Sequence, residues 1–166
     1  MDVRIRPAEA RDRTLLMNLF NLYQNELGAY CEDFGSIDEN GYFAVRTVDD
    51  ILPFGDGVFP YIILTDGAPC GLIMVTDARY ALPGCNWCFQ ELYLIRAARG
   101  RGIAQAAASL AMNGRPGRWC LSVYRRNQPA RAFWERLIAA RGTECEERPG
   151  EDDMLDLTFT AKEGSL

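Results

Sequence analysis

The residues best suited to chemistry lie together in Leu94-Ile95-Arg96-Ala97-Ala98-Arg99-Gly100-Arg101-Gly102-Ile103-Ala104. An apolar run enters this stretch, Gly and Arg fill a turn, and an Ala-rich pattern leaves it as a helix. The first turn of a helix offers backbone N–H groups with no internal partner and carries the positive end of the helix dipole. An anionic pyrophosphate can sit there. Glycine keeps that space clear of side chains, and Arg99 and Arg101 add positive charge beside it. The spacing is not a Walker loop, because no Gly-Lys-Ser/Thr follows, and G-x-G-x-x-G is absent too. On spacing alone two readings stand: a phosphate cradle, or a glycine-rich turn that only redirects the chain.

The chain contains no histidine. Ser-His-Asp and Cys-His mechanisms are therefore excluded. A general base has to be a carboxylate, a perturbed Cys, Tyr or Lys, the chain terminus or a water. Of the six cysteines, only Cys85 and Cys88 form a C-x-x-C pair. A structural zinc site needs a second pair or histidines, so no metal is expected and the thiols read as buried and reduced.

The elements that must position these residues follow from periodicity. Residues 3–6 alternate apolar and charged, as a strand does. Leu15, Leu16, Leu19, Phe20, Tyr23 and Leu27 recur at helical steps, with Asp12 as N-cap and Gly28 at the end. Residues 31–58 are acidic with scattered aromatics, broken by Pro53, Gly55 and Gly57, and read as loop with one short helix. Residues 61–65 and 71–77 are strands joined by Asp66-Gly67, and 87–95 is a central strand. A helix spans Ile103–Met112, a strand 119–124, and a helix follows from Asn127, with Pro129 in its first turn and Gly142 past its end. Two strands close the chain around Pro149-Gly150. The order predicts an α/β (α+β) domain over 1–166, with helices covering a mixed, mostly antiparallel sheet of six to seven strands.

Bulk properties narrow the partners. The chain has 166 residues and a formal net charge of −5. That charge disfavours a broad nucleic-acid surface and favours cationic partners, unless it is only the ordinary acidity of a cytosolic protein. No segment approaches the ~20 apolar residues of a membrane span, and charges interrupt the N-terminus where a signal peptide would need an apolar core. A cytoplasmic protein without nucleic-acid or membrane partners is expected.

Arg99-Gly100-Arg101-Gly102-Ile103-Ala104 resembles the R/Q-x-x-G-x-G/A signature of the GNAT N-acetyltransferase superfamily. Asn127, Ala130, Phe133 and Trp134 are similar to its N-x-x-A-x-x-F-Y pattern, with Trp in the last place. Gly117-Arg118-Trp119 and Phe133-Trp134 resemble a little-characterised bacterial subgroup. The motifs cover residues 87–141, and the element order resembles the family along nearly the whole chain. The resemblance implies a GNAT-like fold and transfer of an acetyl group from acetyl-CoA to a primary amine by direct attack in a ternary complex. The acceptor would be a small-molecule amine, or a protein N-terminus or lysine. Family members are often dimers, so a homodimer is compatible with the resemblance.

The resemblance also implies roles. Arg99, Gly100, Arg101, Gly102, Ile103 and Ala104 would hold the pyrophosphate. Leu92, Tyr93 and Leu94 would pair their backbone with the pantetheine arm. Asn127 and Phe133 would flank that arm, although Asn127 also suits a helix cap. Glu91 is the expected general base, for strand parity sets it opposite Leu92. Among Phe89, Leu92 and Leu94 it should be desolvated, which raises a carboxyl's pKa; the alternative is a structural Glu paired with an Arg. Tyr93 and Tyr124 are further proton-transfer candidates, or else core or rim aromatics. Glu32, Asp33 and Asp38, with Glu39, would favour a cationic acceptor, or form a solvated loop. Two departures stand out. Arg96 replaces a common Pro, and Trp134 replaces the tyrosine that protonates the departing thiolate, a role indole cannot fill. The competing reading is therefore a catalytically inactive module that binds CoA or acyl-CoA as a sensor or partner protein.

Overall fold

The computed structural model describes residues 1–43 and 55–162. The part 44–54 of the expected acidic loop, Pro53 included, lies outside the described residues. The alternating N-terminus forms β1 (Val3–Pro7) and the stripe of Leu16, Leu19 and Phe20 lies on the buried face of α1 (Arg13–Leu27). Asp12 stands before α1 but does not cap it. Its carboxylate instead accepts Arg6 Nη1 and Nη2 at 2.6 and 2.7 Å and the Glu9 N–H at 2.8 Å. A charged partner within reach outcompetes the neutral N–H of a helix end.

A short 3-10 turn, Glu32–Phe34, follows α1. Asp66 and Gly67 take φ of 49° and 83°, the left-handed pair of a two-residue hairpin turn, and join β2 (Val58–Thr65) to β3 (Ala68–Asp77). Then come β4 (Trp87–Leu94), α2 (Ile103–Met112), β5 (Arg118–Tyr124), α3 (Gln128–Arg141), β6 (Gly142–Pro149) and β7 (Met154–Ala161). The seven strands form one sheet in the order β1-β2-β3-β4-β5-β7-β6. Every neighbouring pair is antiparallel except β4–β5.

Alternation along the strands splits the core into two layers. Ile63, Ile73, Val75 and Phe89 pack with Ala107, Ala108 and Ala111 of α2 and with Trp134 and Leu137 of α3. Ile62, Leu72, Met74 and Tyr93 pack with Leu16, Leu19 and Phe20 of α1. The sheet is thus covered by α1 on one face and by α2 and α3 on the other.

Two irregularities matter for the site. The β3–β4 register shifts between Met74 and Val75, so Gln90 has no partner while Phe89 faces Val75 and Glu91 faces Met74. This bulge turns Glu91 to the α1 layer, away from Phe89. The parallel β4–β5 pairing is confined to Trp87↔Trp119 and Cys88↔Cys120. Beyond residue 88 the two strands diverge, and a cleft opens between them.

Cys70, Cys85, Cys88 and Cys120 are buried free thiols, but Cys145 is exposed and Cys31 half-buried. Cys145 lies on β6, whose partner in the sheet is β7 and which stands last in the strand order among the described residues. Burial pushes the Cys85 thiol up to about 11, helped by neighbouring Cys120. Such thiols pack as small apolar groups and are poor nucleophiles.

Candidate active site

The cleft holds a cavity of about 740 Å³. Its walls are the diverging half of β4, the turn before α2, the start of α3 and the C-terminal half of α1. Leu92, Tyr93, Leu94, Arg99, Gly100, Gly102, Ile103, Ala104, Asn127 and Phe133 all line it. Arg101 does not. Its side chain is exposed, and it makes no hydrogen bond or ion pair among the described residues.

The turn is built for open N–H groups. Gly102 is the N-cap of α2 with φ 76° and Gly100 has φ 72°. A Cβ on either would meet nothing within 4 Å. Glycine is therefore required by the left-handed backbone and leaves the adjoining space empty. The first intrahelical bond runs from Ala106 N to Gly102 O at 3.0 Å, so the N–H groups of Ile103, Ala104 and Gln105 have no partner within the helix.

Arg99 is committed elsewhere. Its Nε and Nη2 donate to the Leu94 carbonyl at 2.9 and 2.6 Å. Nη2 and Nη1 reach the Glu26 carboxylate at 3.0 and 2.8 Å. Arg96 joins the same carboxylate at 3.3 Å and the Tyr93 hydroxyl donates to it at 3.5 Å. Partial burial opposes the charge on Glu26, but Arg99 and Arg96 prevail and hold its pKa below the ordinary range. Burial, with Glu26 nearby, keeps the Tyr93 phenol protonated.

A second cavity, of about 520 Å³, adjoins the first. Tyr23, Leu27, Leu92, Asn127, Ala130 and Trp134 border both. Glu91 and Tyr124 line it. Glu91 is 8% exposed. Phe89, Leu92 and Leu94, expected to desolvate it, belong to the opposite layer, so its shielding comes from the α1 side. Tyr124 stacks on Tyr30 with ring centroids 6.4 Å apart. Burial raises its pKa, and Cys31, Asp33 and Asp152 raise it further. The phenol is thus held protonated and can offer its O–H as a hydrogen-bond donor.

Of the predicted acceptor residues, Asp33 lines this cavity and Glu32 does not. Asp38 is absent from its wall too, because its carboxylate accepts the N–H groups of Asn40 and Tyr42, both at 2.9 Å, and holds a local turn. Asp152, in the hairpin between β6 and β7, takes a place on the wall that sequence reasoning missed. The signal was a cluster of acids after Pro149-Gly150. Glu26 was missed as well, since nothing in the helical pattern marks it. Among the described residues, Asp33, Glu91 and Asp152 are the carboxylates of this cavity, and no Lys or Arg borders it. Asn127 caps α3, its Oδ1 accepting the Ala130 N–H at 3.2 Å. Trp134 is buried against Phe89 and Phe133.

Among the described residues no group of metal-ligating side chains is found and no helix is long and apolar enough to cross a membrane. No family model matches the chain. No curated protein matches it either. Solved structures do. An acetyltransferase from Thermus thermophilus is 16% identical, with 98% of each chain covered and a TM-score of 0.69. A GNAT-family acetyltransferase from Streptococcus agalactiae is 18% identical, covering 98% of this chain and 96% of its own, with a TM-score of 0.65. Diaminobutyrate acetyltransferase EctA from Paenibacillus lautus, in complex with L-2,4-diaminobutyric acid and coenzyme A, is 17% identical over 99% of this chain and 98% of its own, with a TM-score of 0.64. Along nearly its full length this chain, with its mixed, mostly antiparallel seven-stranded sheet flanked by helices, shares the fold of these acetyltransferases, the GNAT fold.

Proposed function

We propose that the protein, as one domain over residues 1–166, transfers the acetyl group of acetyl-CoA to a primary amine. The observation that carries this reading is the meeting of two cavities at Leu92, Asn127, Ala130 and Trp134. The larger takes acetyl-CoA. Its pyrophosphate sits on the N–H groups of Ile103, Ala104 and Gln105 with Arg101 nearby, and its arm runs along the edge that β4 turns toward β5. The smaller takes the acceptor. A neighbour of the same fold binds coenzyme A together with a diamine acid, which supports a small cationic acceptor.

In this arrangement the amine nitrogen attacks the thioester carbonyl carbon. The tetrahedral adduct collapses, the C–S bond breaks and the CoA thiolate leaves. Holding both reactants across one junction supplies much of the rate. Glu91 first takes a proton from the bound ammonium, directly or through water, so that the neutral amine can attack, and the second proton, shed by the adduct nitrogen, passes through water to the departing thiolate. Tyr124 keeps its proton and orients the acceptor by a hydrogen bond from its O–H. Asp33 and Asp152, both exposed at the rim, attract the cationic acceptor. Trp134 favours the second reading, a CoA-binding module without turnover, because indole cannot protonate a thiolate.

Thiol release from acetyl-CoA against an amine panel tests the proposal. Turnover is expected with small diamines. Asp33→Asn and Asp152→Asn should each raise the diamine KM about two- to fivefold, the range of rim charge pairs, and Asp38→Asn should leave it unchanged. Binding of coenzyme A without thiol release for any amine would establish the module instead.

A further inference from the structure

We propose that Glu26 is a positioning residue for the cofactor turn, and that Arg99 acts through it as a brace and not as a phosphate ligand. This rests on the reading that coenzyme A occupies the larger cavity. The Arg99 guanidinium makes four donor contacts, two to the Leu94 carbonyl and two to the Glu26 carboxylate. A planar fork held from two sides has little freedom to turn toward a phosphate. Its carbon also lies 5.4 Å from the centre of the Tyr93 ring, which fixes its third side.

The brace joins three elements. Leu94 is the last residue of β4, Arg99 stands in the turn, and Glu26 is in the last turn of α1. Arg96 and the Tyr93 hydroxyl converge on the same carboxylate. The Glu26 side chain is 24% exposed, so the pair is partly shielded from solvent. Tyr23 and Leu27, which border both cavities, flank Glu26 on α1. The carboxylate thereby sets the width of the cleft between α1 and the turn, and with it the height at which the Ile103 and Ala104 N–H groups meet the pyrophosphate.

The reading has a sign that charge alone would reverse. Glu26 is an anion in the wall of an anion site. If it acted only through its field, removing the charge would strengthen coenzyme A binding. If it braces the turn, removing it weakens binding. Calorimetric titration of coenzyme A into the full chain decides this, with unfolding midpoints measured in parallel. Glu26→Gln should bind about tenfold more weakly, in line with couplings inside one ion-pair network. Arg99→Ala should match it, and the double variant should be no weaker than the worse single one. Arg99→Lys keeps the charge and loses the fork, so it too should show the Glu26→Gln loss. Near-normal affinity in Arg99→Lys, equal or tighter binding in Glu26→Gln, or losses that multiply in the double variant would each overturn the brace. Should Glu26→Gln fail to fold, Arg99→Lys alone carries the test. A wild type that does not bind coenzyme A overturns both the brace and the reading beneath it.

Discussion

Gly102 and Gly114 form a natural matched pair for testing the cradle. Both have left-handed backbones, φ 76° and 73°, and at both a Cβ would meet nothing within 4 Å. Only Gly102 borders the 740 Å³ cavity. Alanine in a left-handed conformation costs about 1–2 kcal/mol. For a chain of this length each kcal/mol lowers the melting temperature by about 2–4 °C. Gly102→Ala and Gly114→Ala should therefore melt lower by a similar amount without ligand. Coenzyme A at about a hundred times its dissociation constant adds about 2.7 kcal/mol, a rise of about 5–10 °C by the same conversion. The Gly114→Ala protein should keep that rise. In Gly102→Ala the methyl group needs about 3.5 Å to any phosphate oxygen, while the neighbouring N–H groups need that oxygen at about 2.9 Å. The two demands conflict, and the ligand-induced rise should shrink. Paired thermal melts with and without coenzyme A, with ATP and NAD as controls, measure both quantities at once. Equal rises in the two variants would show that the open space over Gly102 is not where the cofactor sits.

Two further outcomes are expected. Glu91→Gln should lower turnover by about 10²-fold or more and flatten the acidic limb of the pH–rate profile while coenzyme A affinity holds. A variant with the wild-type pH profile would remove Glu91 as the base. The Arg6 guanidinium holds the Asp12 carboxyl down at about 2, from an ordinary 3.8. The folded-state value is the lower one, so the stability from this pair is complete above pH ~4 and is lost as pH falls through 2. With Arg6 one-third exposed, roughly 1–2 kcal/mol remains after solvent screening. Asp12→Asn should then melt about 2–8 °C lower at pH 7 and near wild type at pH 2, and an equal deficit at both pH values would refute the assignment.

What the sequence disclosed and what it hid have distinct physical reasons. Helical and alternating patterns are local, so Ile103–Met112, the Asp66-Gly67 turn and the Asn127 cap were legible. The glycine turn before α2 was legible because its residues are contiguous in the chain. The environment of Glu91 was not, since a single unpaired residue, Gln90, reverses the face that parity assigns to Phe89. The partner of Arg99 was hidden too, for Glu26 lies 73 positions away and no periodicity links them. The acidic loop offered several equivalent carboxylates. Only the folded chain sorts Asp33, on the cavity wall, from Asp38, which is spent on the N–H groups of its own turn.

The brief pairing of β4 with β5 has a consequence for solubility. A sheet ordinarily ends in two rows of unsatisfied amides, at its first and last strands. Among the described residues, this one has two more stretches without a ladder partner, where β4 and β5 part beyond Cys88 and Cys120. Such rows invite pairing with a strand of another chain. Here the hazard is contained by geometry, because Tyr23 and Leu27 from one side and Ala130, Phe133 and Trp134 from the other narrow the gap. The side chains that line the cleft between β4 and β5 thus also shield these inner strand edges from a strand of another chain.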